Sequence, residues 1–148
     1  MNGGMGQDYS GDLSAREAWD LLIKTQDATL IDVRTRAEWS FVGIPDLTDL
    51  GKEVVFVEWQ TFPDRALNAE FVDALLAELS RRDVGPDAPL LFLCRSGGRS
   101  AAAARVVTSA GRDHCYNVAG GFEGGLDGER HRGRMSGWKA QNLPWVQT

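Results

Sequence analysis

The strongest constraint on this chain is the run Leu90-Leu91-Phe92-Leu93-Cys94-Arg95-Ser96-Gly97-Gly98-Arg99-Ser100, which continues into Ala101-Ala102-Ala103-Ala104. Four apolar residues end in a cysteine, a short Gly- and Arg-rich loop follows, and an alanine-rich segment of high helix propensity comes next. The pattern predicts strand, loop and helix, with a thiol at the strand's end. A strand apolar throughout is covered on both faces, as in a parallel sheet. In such sheets ligands bind outside the carboxyl ends of the strands. The free N–H groups that open the next helix favour an anion there.

The flanking segments supply the other elements. Ser14 caps a helix in which Glu17 reaches back, and Ala15, Ala18/Trp19 and Leu22/Ile23 recur at helical spacing. Thr29 to Val33 reads as a buried strand. Arg34 to Val42 reads as a turn and a short helix containing Glu38 and Trp39, broken by Gly43-Ile44-Pro45. Glu53 to Val57 is a second strand. Thr61 to Leu67 is a loop, and Asn68 is the expected N-cap of a helix with Phe71, Leu75 and Leu79 on its inner face. Val84 to Pro89 is a linker. Ser100 to Ala110 is a helix with Gly111 just past its end, and Cys115 to Val118 is the last expected strand. Gly120-Gly121 turns the chain, 124–137 is expected as a surface-loop insertion, and Gly137 to Trp145 as a short closing helix ended by Pro144. Strands alternating with helices predict an α/β fold, a mainly parallel sheet with helices on both faces. Residues 1–9 are expected as a flexible lead-in and residues 10–148 as a single domain.

Bulk properties exclude several classes. The net charge of −5 argues against broad nucleic-acid binding. No apolar run approaches the roughly 18 residues of a membrane span, and the first residues carry neither a basic nor an apolar signal region. Cys94 and Cys115 are the only cysteines. That is no disulfide framework, and a reducing cytoplasm is the expected setting for a chain that keeps a reactive thiol.

A cysteine ending a strand is usually a small buried hydrophobe. Here it stands with features that favour chemistry. Cationic neighbours and a helix N-terminus stabilise a thiolate, and Arg95 and Arg99 provide the cations. Gly97-Gly98 lets the backbone turn tightly and aim successive N–H groups at one point. Ser96 and Ser100 add hydroxyl donors. The conjunction describes a cradle for a thiolate, a persulfide or an anionic substrate.

The same residues resemble the active-site loop of the rhodanese family of sulfurtransferases. Leu30-Ile31-Asp32-Val33-Arg34, Glu38 and Gly43-Ile44-Pro45 resemble the family's N-terminal signature. Asn117-Val118-Ala119-Gly120-Gly121, Gly137-Trp138 and Leu143-Pro144 resemble its C-terminal one. The resemblance implies a rhodanese-like domain with a small, mainly parallel five-stranded sheet. Two departures stand out: no histidine lies between Gly43 and Ile44, and Glu123 to Ser136 looks inserted.

The resemblance also implies double-displacement chemistry. Cys94 takes the outer sulfur of thiosulfate or a persulfide donor and passes it to cyanide, a small thiol or a protein thiol. Arg95 and Arg99 would attract the anionic donor, Arg99 by bidentate contact. No cofactor or metal is expected, and neither a nucleic-acid nor a membrane partner. The Cys94-to-Arg99 loop matches sulfurtransferases, whereas cysteine phosphatases carry one more residue. A non-catalytic rhodanese-like regulatory module and, behind it, a phosphatase or arsenate reductase are the alternatives.

Asp32, Arg34 and Glu38 are expected to support the loop, through an Asp–Arg or Arg34–Glu38 ion pair. Cys115 is read as packing, with a resolving thiol as its other reading. His114 and His131 lack metal-ligand spacing. Arg130 to Arg134 is a basic run on the insertion, able to gather anions or remain solvated. Trp59 and Phe62 are expected at the pocket rim.

Overall fold

The computed structural model describes residues 8–147, so residues 1–7 of the expected lead-in lie outside the described residues. Five strands form one parallel sheet: β1 (Gly11–Leu13), β2 (Thr29–Asp32), β4 (Val55–Phe56), β5 (Leu90–Leu93) and β6 (Cys115–Val118), in the order β1-β6-β5-β2-β4. A small antiparallel pair joins β3 (Ile44–Pro45) to β7 (Trp145–Val146). The helices are α1 (Ala15–Lys24), α2 (Arg36–Val42), α3 (Phe71–Arg81), α4 (Gly98–Ser109) and α5 (Gly137–Ala140).

The period-2 alternation of strands divides the core between the two faces. Leu91 and Leu93 of β5 pack with Ala18 and Leu22 of α1 and with Trp138 of α5. Leu90, Phe92 and Cys94 pack on the other side with Leu75 and Leu79 of α3 and Ala103, Ala104 and Val107 of α4. The alanines of α4 let that helix approach the sheet closely. Every residue of β2 and β5 is buried, as expected of parallel strands covered on both faces.

Local signals hold at α1 and α2. Ser14 and Glu17 form a capping box, and Thr35 and Glu38 form another. Asn68 does not cap α3. The cap position is Glu70, and Asn68 instead donates to the Glu58 carbonyl at 2.9 Å and accepts the Glu70 amide at 3.0 Å, fixing the turn before the helix. The expected strand over 53–57 pairs only at Val55 and Phe56. Three strands carry no strong sequence signal: β1 pairs with β6, and β3, read in the sequence as a break, pairs with β7, which takes Trp145 out of the expected closing helix and leaves that helix as Gly137–Ala140.

From β2 the chain moves outward to edge strand β4, then returns through α3 to β5 on the other side of β2. The carboxyl ends of β2 and β5 therefore flank a crevice at a change of winding direction, the usual ligand position in an open α/β sheet.

Candidate active site

Cys94 lies one residue beyond β5 and directly ahead of the loop into α4. Its side chain is buried, yet the sulfur is not bare. The Gly97 amide donates to Sγ at 3.2 Å, and the Ser100 Oγ lies at 3.2 Å from the same atom. Gly97 is the N-cap of α4 with φ 116°, a conformation that side-chain-bearing residues rarely adopt. A Cβ there would stand 2.3 Å from the Ala119 carbonyl oxygen.

The loop is stitched to the turn after β6. The Phe122 amide donates to the Cys94 carbonyl at 2.8 Å, and those of Glu123 and Gly124 donate to the Arg95 carbonyl at 3.0 and 3.1 Å. These bonds hold the first two carbonyls of the loop, and the Gly97 amide donates to the sulfur at the positive end of α4.

Behind the sulfur runs a polar relay. Ser100 Oγ is 2.6 Å from Asn117 Oδ1, Asn117 Nδ2 donates to Asp12 Oδ1 at 3.0 Å, and the Tyr9 hydroxyl donates to the same oxygen at 2.8 Å. Ser100 carries one proton and faces two acceptors, Sγ and Asn117 Oδ1. Burial first, then the hydrogen bond to Asp12, pushes the Tyr9 hydroxyl above its ordinary value. Asn117, named in the sequence only as part of a signature, is the buried partner that sequence reading passed over. Its signal was a polar residue inside an otherwise apolar strand.

The three supporting residues separate into two pairs. Asp32 and Arg34 are both fully buried and make a bidentate pair: Arg34 Nε to Oδ1 at 3.0 Å and Nη2 to Oδ2 at 2.7 Å. Arg34 Nη2 also donates to the Gly43 carbonyl at 2.8 Å, and the guanidinium lies 4.2 Å from the centre of the Phe122 ring. This pair ties β2, the Gly-Ile-Pro segment and the Gly-Gly turn together. Gly43, with φ 109°, has the Trp145 ring where a Cβ would go, at 2.8 Å.

Glu38 pairs with Arg99 and not with Arg34. Arg99 Nη1 and Nη2 reach the two carboxylate oxygens at 2.7 and 2.9 Å. Burial works to raise the Glu38 pKa, but the hydrogen bonds from Arg99 and the Thr35 amide prevail and hold it below the usual value. The same hydrogen bonds lead in raising Arg99, against the effect of burial, with smaller contributions from the charges of Glu38 and Cys94. The bidentate face expected to grip a donor is therefore occupied by Glu38, while Arg95 is exposed and makes no ion pair among the described residues.

A cavity of about 650 Å³ opens against this loop, lined by Arg95, Arg99, Glu38 and Glu123 among others, with the exposed Phe41 and Phe62 at its rim; Cys94 is not among its lining residues. Phe62 is thus at the rim as expected. Trp59 is not among the lining residues and packs edge-on against Phe71, ring centres 5.1 Å apart. Arg132 from the inserted stretch reaches the cavity, anchored to the Gly124 carbonyl at 2.7 Å. The other end of that stretch is self-contained: Arg134 pairs with Asp127 and Glu129. His131 approaches these two carboxylates, but its amide and that of Glu129 already occupy Asp127 Oδ1.

Cys115 is far from Cys94. It pairs with Leu90 at the start of β5, while Cys94 follows the strand's end. Four residues of strand separate them, roughly 13 Å at ~3.3 Å per residue, too far for a disulfide. Burial pushes the Cys115 thiol up.

Known proteins resemble this chain in sequence and fold. The family described as STR4 middle domain matches residues 10–148. The chain belongs to that family. The crystal structure of Rv0390 from M. tuberculosis superposes with a TM-score of 0.82 at 53% identity, covering 95% of this chain and 99% of that one. The polysulfide-sulfur transferase homodimer of Wolinella succinogenes superposes with a TM-score of 0.61 at 25% identity, over 95% of this chain and 80% of that one. The chloroplastic rhodanese-like domain-containing protein 4 of Arabidopsis thaliana is 27% identical over 135 residues, 90% of this chain but 25% of that protein. The domain is a rhodanese-like module, and its sheet order and two-sided helical cover are those of an α/β rhodanese-like fold. Among the described residues no helix is long and apolar enough to cross a membrane.

Proposed function

We propose that this domain is a sulfurtransferase that moves sulfane sulfur through a persulfide on Cys94. The observation that carries the reading is the sulfur's own coordination. Sγ faces the Gly97 amide and the Ser100 hydroxyl at 3.2 Å each, at the head of a twelve-residue helix, on a loop whose Arg95 and Arg99 line a cavity. A merely packed thiol needs none of these donors. An anionic sulfur is stabilised by all of them.

The chemistry is two displacements. The Cys94 thiolate attacks the outer sulfur of thiosulfate, the S–S bond breaks, and sulfite leaves with the electron pair. Cys94 then carries the persulfide, whose terminal sulfur extends toward the loop amides. An acceptor thiolate or cyanide attacks that terminal sulfur, the new bond forms, and Cys94 departs as thiolate. Arg95 is the exposed cation placed to meet the donor. Arg99 contributes its charge from within its pair with Glu38. The chain's own groups suffice for both steps, and a reducing compartment such as the cytoplasm suits them.

The test is an intact mass after incubation with thiosulfate. A gain of one sulfur atom, absent in Cys94→Ala, is the expected result. No adduct together with no thiocyanate from cyanide would point to a non-catalytic module. Phosphate release from an aryl phosphate would point to phosphoryl chemistry.

A further inference from the structure

Asp12 and Asn117 are register partners on neighbouring strands, Asp12 on the edge strand β1 and Asn117 on β6. Side chains at matched positions of paired strands lie on the same face of the sheet. Here they join two environments. Asp12 is exposed, whereas Asn117, Ser100 and Cys94 are buried. The series Tyr9, Asp12, Asn117, Ser100 therefore runs from the surface to the reactive sulfur.

The direction of each hydrogen bond in this series is fixed by chemistry. A carboxylate accepts and cannot donate. Asp12 Oδ1 receives the Tyr9 hydroxyl at 2.8 Å and Asn117 Nδ2 at 3.0 Å. Burial, and then the bond to Asp12, raise the Tyr9 hydroxyl above its ordinary value, so it stays a donor. With its amide nitrogen turned to Asp12, Asn117 turns its carbonyl oxygen to Ser100. That oxygen also only accepts, so the proton in the 2.6 Å contact is that of the Ser100 hydroxyl. The same hydroxyl lies 3.2 Å from Cys94 Sγ. A neutral thiol can donate its own proton to the Ser100 oxygen. A thiolate has none to give and needs the Ser100 proton turned toward it. Turning that proton leaves a buried carbonyl oxygen without a partner, which is unfavourable.

Resting on the transfer reading above for what the sulfur then does, we infer that Asp12 is a positioning residue: through Asn117 it sets which way the Ser100 hydroxyl points. Asp12 fixes Asn117 as a competitor for the proton that the Cys94 thiolate needs, and the thiolate forms against that competition. Released from Asp12, the Asn117 amide turns over, offers Nδ2 to the Ser100 oxygen and frees the hydroxyl for the sulfur. No covalent bond changes; only hydrogen-bond directions do.

The test is the pH profile of iodoacetamide alkylation of the full chain, followed by mass at the Cys94 peptide so that Cys115 does not enter the readout. Asp12→Ala removes the acceptor. Asp12→Asn removes the charge but keeps an oxygen within reach of Asn117 Nδ2 and the Tyr9 hydroxyl. In Asp12→Ala the midpoint of the profile is expected to fall by about 0.5 pH unit, roughly threefold more thiolate below it, the size of one competing hydrogen bond. Asp12→Asn is expected to keep the wild-type midpoint. Arg95, the Arg99–Glu38 pair and the buried Asp32–Arg34 pair are unaltered in both variants, so the other charges of the site stay constant. A fall shared equally by the two variants is the effect of the lost negative charge and overturns the inference. So does an unmoved or raised midpoint in Asp12→Ala. Asp12→Val, which also lacks the acceptor and suits a strand, takes the place of Asp12→Ala if that variant does not fold. Thiosulfate loading of Cys94 is measured on the same samples by mass. A shifted profile without loading defeats the transfer reading alone, and loading with an unshifted profile defeats the inference alone.

Discussion

Arg99 and Glu38 stand 61 residues apart in sequence and meet through two parallel hydrogen bonds, at 2.7 and 2.9 Å. The pair locks the first turn of α4 to the first turn of α2 across the crevice, so the loop that starts at Cys94 is fixed at its far end by a residue from another strand–helix unit. A forked guanidinium makes this contact in a way that lysine cannot reproduce.

Glu38→Gln therefore loosens the loop while keeping the side chain's size. The expected loss of stability at neutral pH is about 1–3 kcal/mol, read by denaturant unfolding. The pH dependence has a definite sign. The folded carboxyl lies below its ordinary value of 4.5, so the pair's contribution is complete above that pH and is lost as pH falls through the lower folded value. The gap between wild type and Glu38→Gln should narrow as pH is taken from 6 toward 3. A constant gap would mean that the pair contributes by shape and not by charge.

Ser100→Ala removes one of the two donors facing the Cys94 sulfur. Single-turnover persulfide formation with thiosulfate should slow by roughly tenfold or more, with folding retained because alanine suits the helix. Asn117→Ala leaves Ser100 in place but frees its hydroxyl proton for Sγ alone. It should depart from the Ser100→Ala phenotype, and identical rates in the two variants would deny the relay any part in the chemistry.

Asp32→Asn leaves the Arg34 guanidinium buried without its counter-charge. Breaking a buried pair by removing one partner costs about 3–5 kcal/mol, enough to threaten folding in a domain of this size. Replacing both residues with apolar ones should recover much of the loss, apart from the contact between Arg34 and the Gly43 carbonyl. The double-mutant cycle by chemical denaturation measures this.

Gly97→Ala tests the loop's geometry. The new methyl would enter the space of the Ala119 carbonyl, 2.3 Å away, at a φ of 116°. The expected result is a loss of about 1–3 kcal/mol from strain and an amide no longer aimed at Cys94. Gly98→Ala, where a Cβ meets nothing within 4 Å, is the matched control.

Much of this architecture is written locally. The capping boxes at Ser14 and Thr35, the apolar run of β5 and the spacing of Phe71, Leu75 and Leu79 each depend on neighbours a few residues away. What could not be read locally depends on distant partners. Gly11-Asp12-Leu13 has no strand propensity of its own and becomes β1 because the Tyr116–Val118 backbone is there to pair with. Arg34 and Arg99 are equally eligible partners for Glu38 in sequence, and only the crossing of α2 and α4 decides between them. The floor of the site was legible because cysteine, glycines and helix start lie side by side. The lining of the adjacent cavity was not, because Arg65 and Arg132 come from separate loops whose convergence is purely tertiary.

The placement of the two cysteines at opposite ends of β5 also sets how the protein meets oxidants. A sulfenic acid formed on Cys94 has no second thiol within the chain to condense with, so its rescue depends on thiols from solution before further oxidation makes the damage permanent. The lifetime of the activity under peroxide is governed by the surrounding thiol pool, and Cys115→Ser should leave that lifetime unchanged.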